Sequence, residues 1–312
     1  MTLQKYKILT LSAIVLIFLP QLIFCQTRSV FRSITVVSEP SAVVWLDGVR
    51  FGKTGKDGRL SITTVPAGIH SIRVRADGFK EKSQSLTAAQ KGEVKIVLVK
   101  TTDEAELSFQ EAERLTSVDR EKSAAAYRKA IKARPNYPEA YLGLARVLLD
   151  SGDTEGAAKA INSARKLRTA YAEASAVEGR IQKESGEEDK AIAAFKRAIS
   201  EGKGFQPEAY AGLGLLYKEK AETAGGAGDF EDENTNHTEA AKNLKAALKQ
   251  LSGAPDAMVI YQLLGLIYER QKRYAEAIAL YEEFLRIFPD ATESTAVRSF
   301  IIQLKKDMAS PE

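Results

Sequence analysis

Hydrophobic positions change their period once along this chain, close to residue 100. Between residues 34 and 99 the apolar residues fall in short β-branched runs, at 34–37, 42–46, 60–63, 69–74 and 94–99. Several of these alternate apolar with polar, the pattern of a strand with one buried face. Turn-forming pairs separate them, among them Glu39 and Pro40, Asp47 and Gly48, Asp57 and Gly58, and Asp77 and Gly78. Glycine after Asp suits such turns because it adopts positive φ without a Cβ clash. Short strands at this spacing predict a small β-sandwich over residues 33–100.

Beyond residue 103 the period becomes helical. Tyr141, Leu144, Ala145 and Leu148 fall on one helical face, and Tyr210, Leu213, Gly214 and Tyr217 repeat the stripe, as do Tyr261, Leu264, Gly265 and Tyr268. A second stripe follows each first one. Ser123, Tyr127 and Ala130 recur 34 residues on as Ala157, Ile161 and Ala164, and after 34 more as Ala191, Phe195 and Ala198. Two further copies come at wider spacing: Ala240, Leu244 and Ala247, then Ala277, Tyr281 and Phe284. A fixed period near 34 predicts one helix-pair unit stacked repeatedly, with an extended surface in place of a single globular core. About five units fit residues 103–290. The first is degenerate, since residues 105–115 lack the small-plus-aromatic stripe. Pro138 and Pro207 open first helices, where a missing N–H costs nothing. Residues 291–309 predict a terminal capping helix with Val297, Phe300, Ile301 and Leu304 on its apolar face. Between Tyr217 and Ala240 the chain is longer than its period requires. Residues 224–228 are rich in Gly and residues 229–234 in acids, so a solvated loop insert is expected at about 220–237, with His237 in water.

Two resemblances rest on these residues. Ser38, Glu39 and Pro40, the stretch 42–48 ending in Asp47 and Gly48, then Gly52, Pro66, Gly68, Asp77, Gly78 and Phe79 resemble the PEGA domain. Here Pro40, Ser41 and Ala42 stand where that family has Pro-Glu-Gly-Ala. The 34-residue stripes resemble the tetratricopeptide repeat (TPR), over about two-thirds of the chain. The fold class implied is multidomain: a small all-β, PEGA-like sandwich followed by an all-α TPR solenoid. The first resemblance implies a bacterial, exported, surface-associated protein, and the second a protein-binding one.

The N-terminus agrees with export. Lys5 and Lys7 precede an apolar run over 8–24, the form of a signal peptide spanning residues 1–25. The alternatives are an uncleaved inner-membrane anchor, which makes 8–24 the sole membrane contact, and lipidation at Cys25. That cysteine is the only one in the chain, which leaves no disulfide, thiolate metal site or Cys nucleophile after cleavage. The expected location is the periplasm or cell envelope.

Composition narrows the function. Residues 26–100 carry 13 Lys and Arg against 6 Asp and Glu, and residues 101–312 carry 30 against 35. Neither balance clusters basic residues as a nucleic-acid footprint requires. With His70 and His237 the only histidines, no metal-ligand spacing, nucleophile elbow or phosphate loop is present. No catalytic residue, metal or cofactor is expected, and the protein reads as non-enzymatic. The expected site is the inner groove of the repeats, lined by Leu142, Arg146, Leu149, Arg180, Lys183, Leu215, Lys218, Gln262, Leu266 and Glu269. Alternating apolar and cationic groups there suit an extended or helical peptide with acidic residues. Chaperone-docking TPRs clamp a terminal carboxylate with an Asn, but Arg146, Arg180, Leu215 and Leu266 occupy those positions. Two roles stay open: a scaffold whose groove holds a protein or peptide while the sandwich meets the envelope, or a wall- or glycan-binding sandwich with the repeats as spacer or oligomer contact.

Overall fold

The computed structural model describes residues 31–309, so the expectations for the signal peptide, the anchor and Cys25 lie outside the described residues. Seven strands come first: β1 (Arg32–Val37), β2 (Val43–Leu46), β3 (Val49–Lys53), β4 (Arg59–Val65), β5 (His70–Arg75), β6 (Lys82–Leu86) and β7 (Gly92–Lys95). They form two sheets, ordered β4-β1-β7 and β3-β2-β5-β6. All pairs are antiparallel except β1 with β7. Ile34, Val36, Val44, Ile72, Val74 and Val94 alternate inward and close the core between the sheets. The β2–β3 turn places Asp47 and Gly48 at φ 50° and 84°, the left-handed geometry that a tight hairpin needs. Asp47 fixes that turn, accepting from the Ser71 amide at 2.8 Å and meeting His70 Nδ1 at 2.6 Å.

Eleven helices follow among the described residues: α1 (Glu104–Leu115), α2 (Arg120–Ala133), α3 (Pro138–Asp150), α4 (Thr154–Leu167), α5 (Ala172–Glu184), α6 (Glu188–Glu201), α7 (Pro207–Gly226), α8 (Phe230–Leu251), α9 (Ala257–Arg270), α10 (Tyr274–Ile287) and α11 (Ser294–Ala309). Asp103, Asp119, Asp153 and Asp229 cap α1, α2, α4 and α8 by accepting a backbone N–H of the first turn. The small-plus-large stripes explain the stacking. The ring of Tyr127 lies so close to Gly143 of the next repeat that a Cβ there has no room, and Phe195 does the same to Gly179 and Gly212. Tyr127, Phe195, Leu244 and Tyr281 thus each sink into a hole left by glycine.

One segment departs from expectation. The stretch at about 220–237 is not a loop. It lengthens both helices of the fourth pair, to 20 residues in α7 and 22 in α8, and only residues 227–229 turn between them. His237 is not solvated but buried at 5% exposure, on the face of α8 that also buries Glu233.

The degenerate first repeat has a structural cause. In later repeats the face of the first helix turned to the preceding unit is small or apolar, as in Ala140, Gly143 and Val147, or Ala174, Val177 and Ile181. In α1 the same positions are Glu106, Phe109 and Glu113. The sandwich covers Phe109 and Glu113. Arg75 of β5 lies 4.5 Å above the Phe109 ring and pairs with both Glu81 and Glu113. Gln110 accepts from the Gly78 amide at 2.9 Å and donates to the Phe79 carbonyl at 2.7 Å. The sandwich therefore occupies the place of a preceding repeat and supplies the cap a solenoid end requires. It also reaches the far end of the stack. Val49 and Phe51 of β3 join the apolar cluster of α8–α11, and Arg286 of α10 lies 5.9 Å above Phe31.

Candidate protein-binding groove

The first helices α3, α5, α7 and α9 line one face of the stack, and ion pairs show which way it curves. Arg146 of α3 pairs with Glu208 of α7, two repeats on, and Arg180 of α5 pairs with Asp150 of α3 at 2.9 Å and reaches Glu208 at 3.9 Å. Lys183 of α5 meets Glu219 of α7 at 2.8 Å. A direct bond between α3 and α7 spans the intervening repeat, so it crosses the concave side. Glu208, on the first turn of α7, is the hub of this wall. Its charge raises the Arg146 pKa above the ordinary guanidinium value against the opposing effect of burial.

The expected groove residues divide accordingly. Arg146, Arg180 and Lys183 stand on the inner face but are engaged by the chain's own acids, so they do not present the row of unpaired cations that alternation along the sequence suggested. Leu149 is buried at 7% exposure and packs in the core, while Leu142 and Leu215 are half-buried. Glu269 accepts from the Tyr281 hydroxyl at 2.7 Å. Gln262 and Leu266, on α9, are exposed, Leu266 at 55%. Lys218 reaches Glu222 at 2.5 Å one turn along α7. The open part of the groove is thus its α7–α9 end.

There the lengthened hairpin adds a wall. Glu233 of α8 accepts from Arg270 Nε of α9 at 2.7 Å. A Cβ at Gly225 of α7 would meet the Glu233 carboxyl at 2.8 Å, so the glycine lets that carboxyl lie against α7. The Arg270 hydrogen bond holds the Glu233 pKa below the usual carboxylate range. His237 Nε2 lies 3.6 Å from the same carboxyl, but burial outweighs that attraction and lowers the imidazole pKa. Gln271, which caps the C-terminus of α9, donates to the Asn234 side chain at 2.8 Å. A cleft of about 500 Å³ results, lined by Lys218, Glu222, Gly225, Glu233, His237, Leu266 and Arg270. Sequence reasoning placed Lys218 and Leu266 in the groove and missed Glu233, His237 and Arg270. The available signal was the four-residue spacing of Glu233 and His237, which puts them on one helical face.

Comparison with known proteins follows the same division of the chain. Residues 31–102 match the PEGA domain, and residues 119–181 and 226–292 match tetratricopeptide repeats. A search of curated proteins finds no match. Among solved structures, a crystal structure of MamA protein is 24% identical, with a TM-score of 0.41, over 61% of this chain and 94% of its own. Yeast Tom70 is 16% identical, with a TM-score of 0.51, over 67% of this chain and 41% of its own. At this identity the likeness to Tom70 is one of helical-repeat fold.

Proposed function

We propose that this chain, a PEGA domain followed by tetratricopeptide repeats, is an exported, non-enzymatic scaffold that holds a protein or peptide partner in its inner groove. The repeats support a protein-interaction role. The observation that carries the groove reading is the Arg146–Glu208 pair across two repeats. It identifies the inner face, and on that face Gln262 and Leu266 stay exposed while Leu142 and Leu215 stay partly open. An exposed leucine beside half-buried ones offers apolar anchoring for a peptide, and the flanking charges give it orientation. The PEGA domain supports a location at the cell envelope, which its surface away from α1 and α8–α11 would contact. Among the described residues no helix is long and apolar enough to cross a membrane.

The test is recovery of the partner from envelope fractions with the full chain as bait. A Gln262→Lys/Leu266→Glu double variant changes the open groove. Ala279→Glu, at an exposed site on the outer helix α10, serves as control. Recovery should be lost with the groove variant and kept with the control. Equal recovery with both overturns the groove reading.

A further inference from the structure

We propose that the cleft between the lengthened ends of α7 and α8 and the last turns of α9 receives a peptide carboxylate that adjoins a large apolar side chain. This rests on the groove reading and names the chemistry that its open end selects.

The cleft is a built feature. Gly225 makes room for the Glu233 carboxyl, Glu233 takes the Nε of Arg270, and Gln271 ties α9 to Asn234 and Thr238 of α8. Those bonds hold the Arg270 guanidinium by one edge. Among the described residues its Nη1 and Nη2 groups have no hydrogen-bond partner, and the side chain is 62% exposed. A guanidinium fixed at Nε with both terminal nitrogens open is a preorganised fork for a carboxylate, which it binds through two parallel charge-assisted hydrogen bonds. The other cation of the cleft, Lys218, is already engaged by Glu222 at 2.5 Å. Arg270 is therefore the cation of the cleft that offers two coplanar open nitrogens, and the ligand it favours is planar and anionic.

The apolar half of the specificity comes from Leu266. It lines the same cleft one helical turn from Arg270 and is 55% exposed. A Leu, Met or Phe side chain covering it removes apolar surface from water on both partners. A carboxylate alone would leave that leucine wet, and an apolar residue alone would leave the fork unused. The cleft is made by the hairpin extension that departs from the 34-residue period, so an ordinary repeat lacks it.

The experiment is fluorescence polarisation with the full chain at low ionic strength. One probe is a fluorescein-labelled Gly/Ser octapeptide ending in Leu-Glu with a free C-terminus. The other ends in Leu-Gln with a C-terminal amide. The acidic probe should bind at least about tenfold more tightly, as expected for a hydrogen bond to a charged group. Arg270→Lys keeps a positive charge facing Glu233 but removes the fork, and should abolish that preference while thermal unfolding stays unchanged. Leu266→Ser, which takes no part in the Glu233 bond, should weaken both probes. Equal binding of the two probes, or an undiminished preference in Arg270→Lys, overturns the proposal. If the probes bind alike yet partner recovery is still lost in the Gln262/Leu266 double variant, the pocket chemistry falls and the groove reading stands. If recovery is unchanged, the groove reading itself falls.

Discussion

Arg75 is the residue on which the junction of the two domains turns. Its side chain is 8% exposed, lies against Phe109 and Trp45, and faces two carboxylates, Glu81 and Glu113. Replacing it with Ala leaves Glu113 without its cation, and Glu81 with Arg73 alone at 3.3 Å, at a half-buried seam. Breaking a buried pair from one side costs about 3–5 kcal/mol. Because Glu81 and Glu113 keep some contact with water, we expect about 2–3 kcal/mol for Arg75→Ala by urea unfolding. Phe109→Ala removes the ring beneath it and should cost about 3 kcal/mol or more. His237 gives a prediction in pH. Its imidazole is buried near Glu233 and Glu222, with Arg270 and Lys218 also near, and burial sets its pKa below the ordinary value of about 6.5. The unfolded chain then binds the proton more readily than the folded one. This contribution leaves stability intact above about pH 6.5 and lowers it as pH falls from there through the folded pKa. The slope between pH 7 and 5.5 should be shallower in His237→Gln, measured by urea midpoints at each pH.

At the scale of elements, five of the seven strands and the repeat helices were legible because each has one buried face and the chain writes that face at its own period; β3 and β6 carry no such apolar run and were not read. Alternation in 34–37 and 69–74 gave β1 and β5, and the 34-residue triplets gave α2, α4 and α6. The α7–α8 extension was not legible, since Gly225, Gly226, Gly228, Asp229, Asp232 and Asn234 are poor helix formers by local propensity. Tertiary bonds, Glu233 to Arg270 and Asn234 and Thr238 to Gln271, together with the local Asp229 cap on the Asp232 amide, override that preference. The groove was legible as a set of positions but not in its charge state. Glu208 and Asp150 lie 62 and 30 residues from Arg146 and Arg180 respectively, and no local spacing brings them together. Hydrogen exchange separates the two pictures of the insert. Amides of residues 233–238 should be protected as in a packed helix, whereas exchange at free-peptide rates would restore the solvated loop.

For the whole molecule, the sandwich and the repeats form one continuous assembly. The sandwich stands in for a repeat ahead of α1 and meets α8–α11 at the other end of the arc, so it ties the two ends of the stack together. Residues 103–312 produced alone should lose exchange protection in α1 and α2 and self-associate in sedimentation through the uncovered Phe109 face. The central claim, that the inner face of this assembly is where a partner sits, is tested most directly by site-specific photo-cross-linking in the native host. A photoreactive residue is placed in turn at Leu142, Gln262 and Leu266 on the inner face, and at Ala275 and Ala279 on the outer helix. Cross-links to one partner from the inner positions and none from the outer pair are the predicted result. Cross-links from the outer positions, with none from the inner ones, would contradict it.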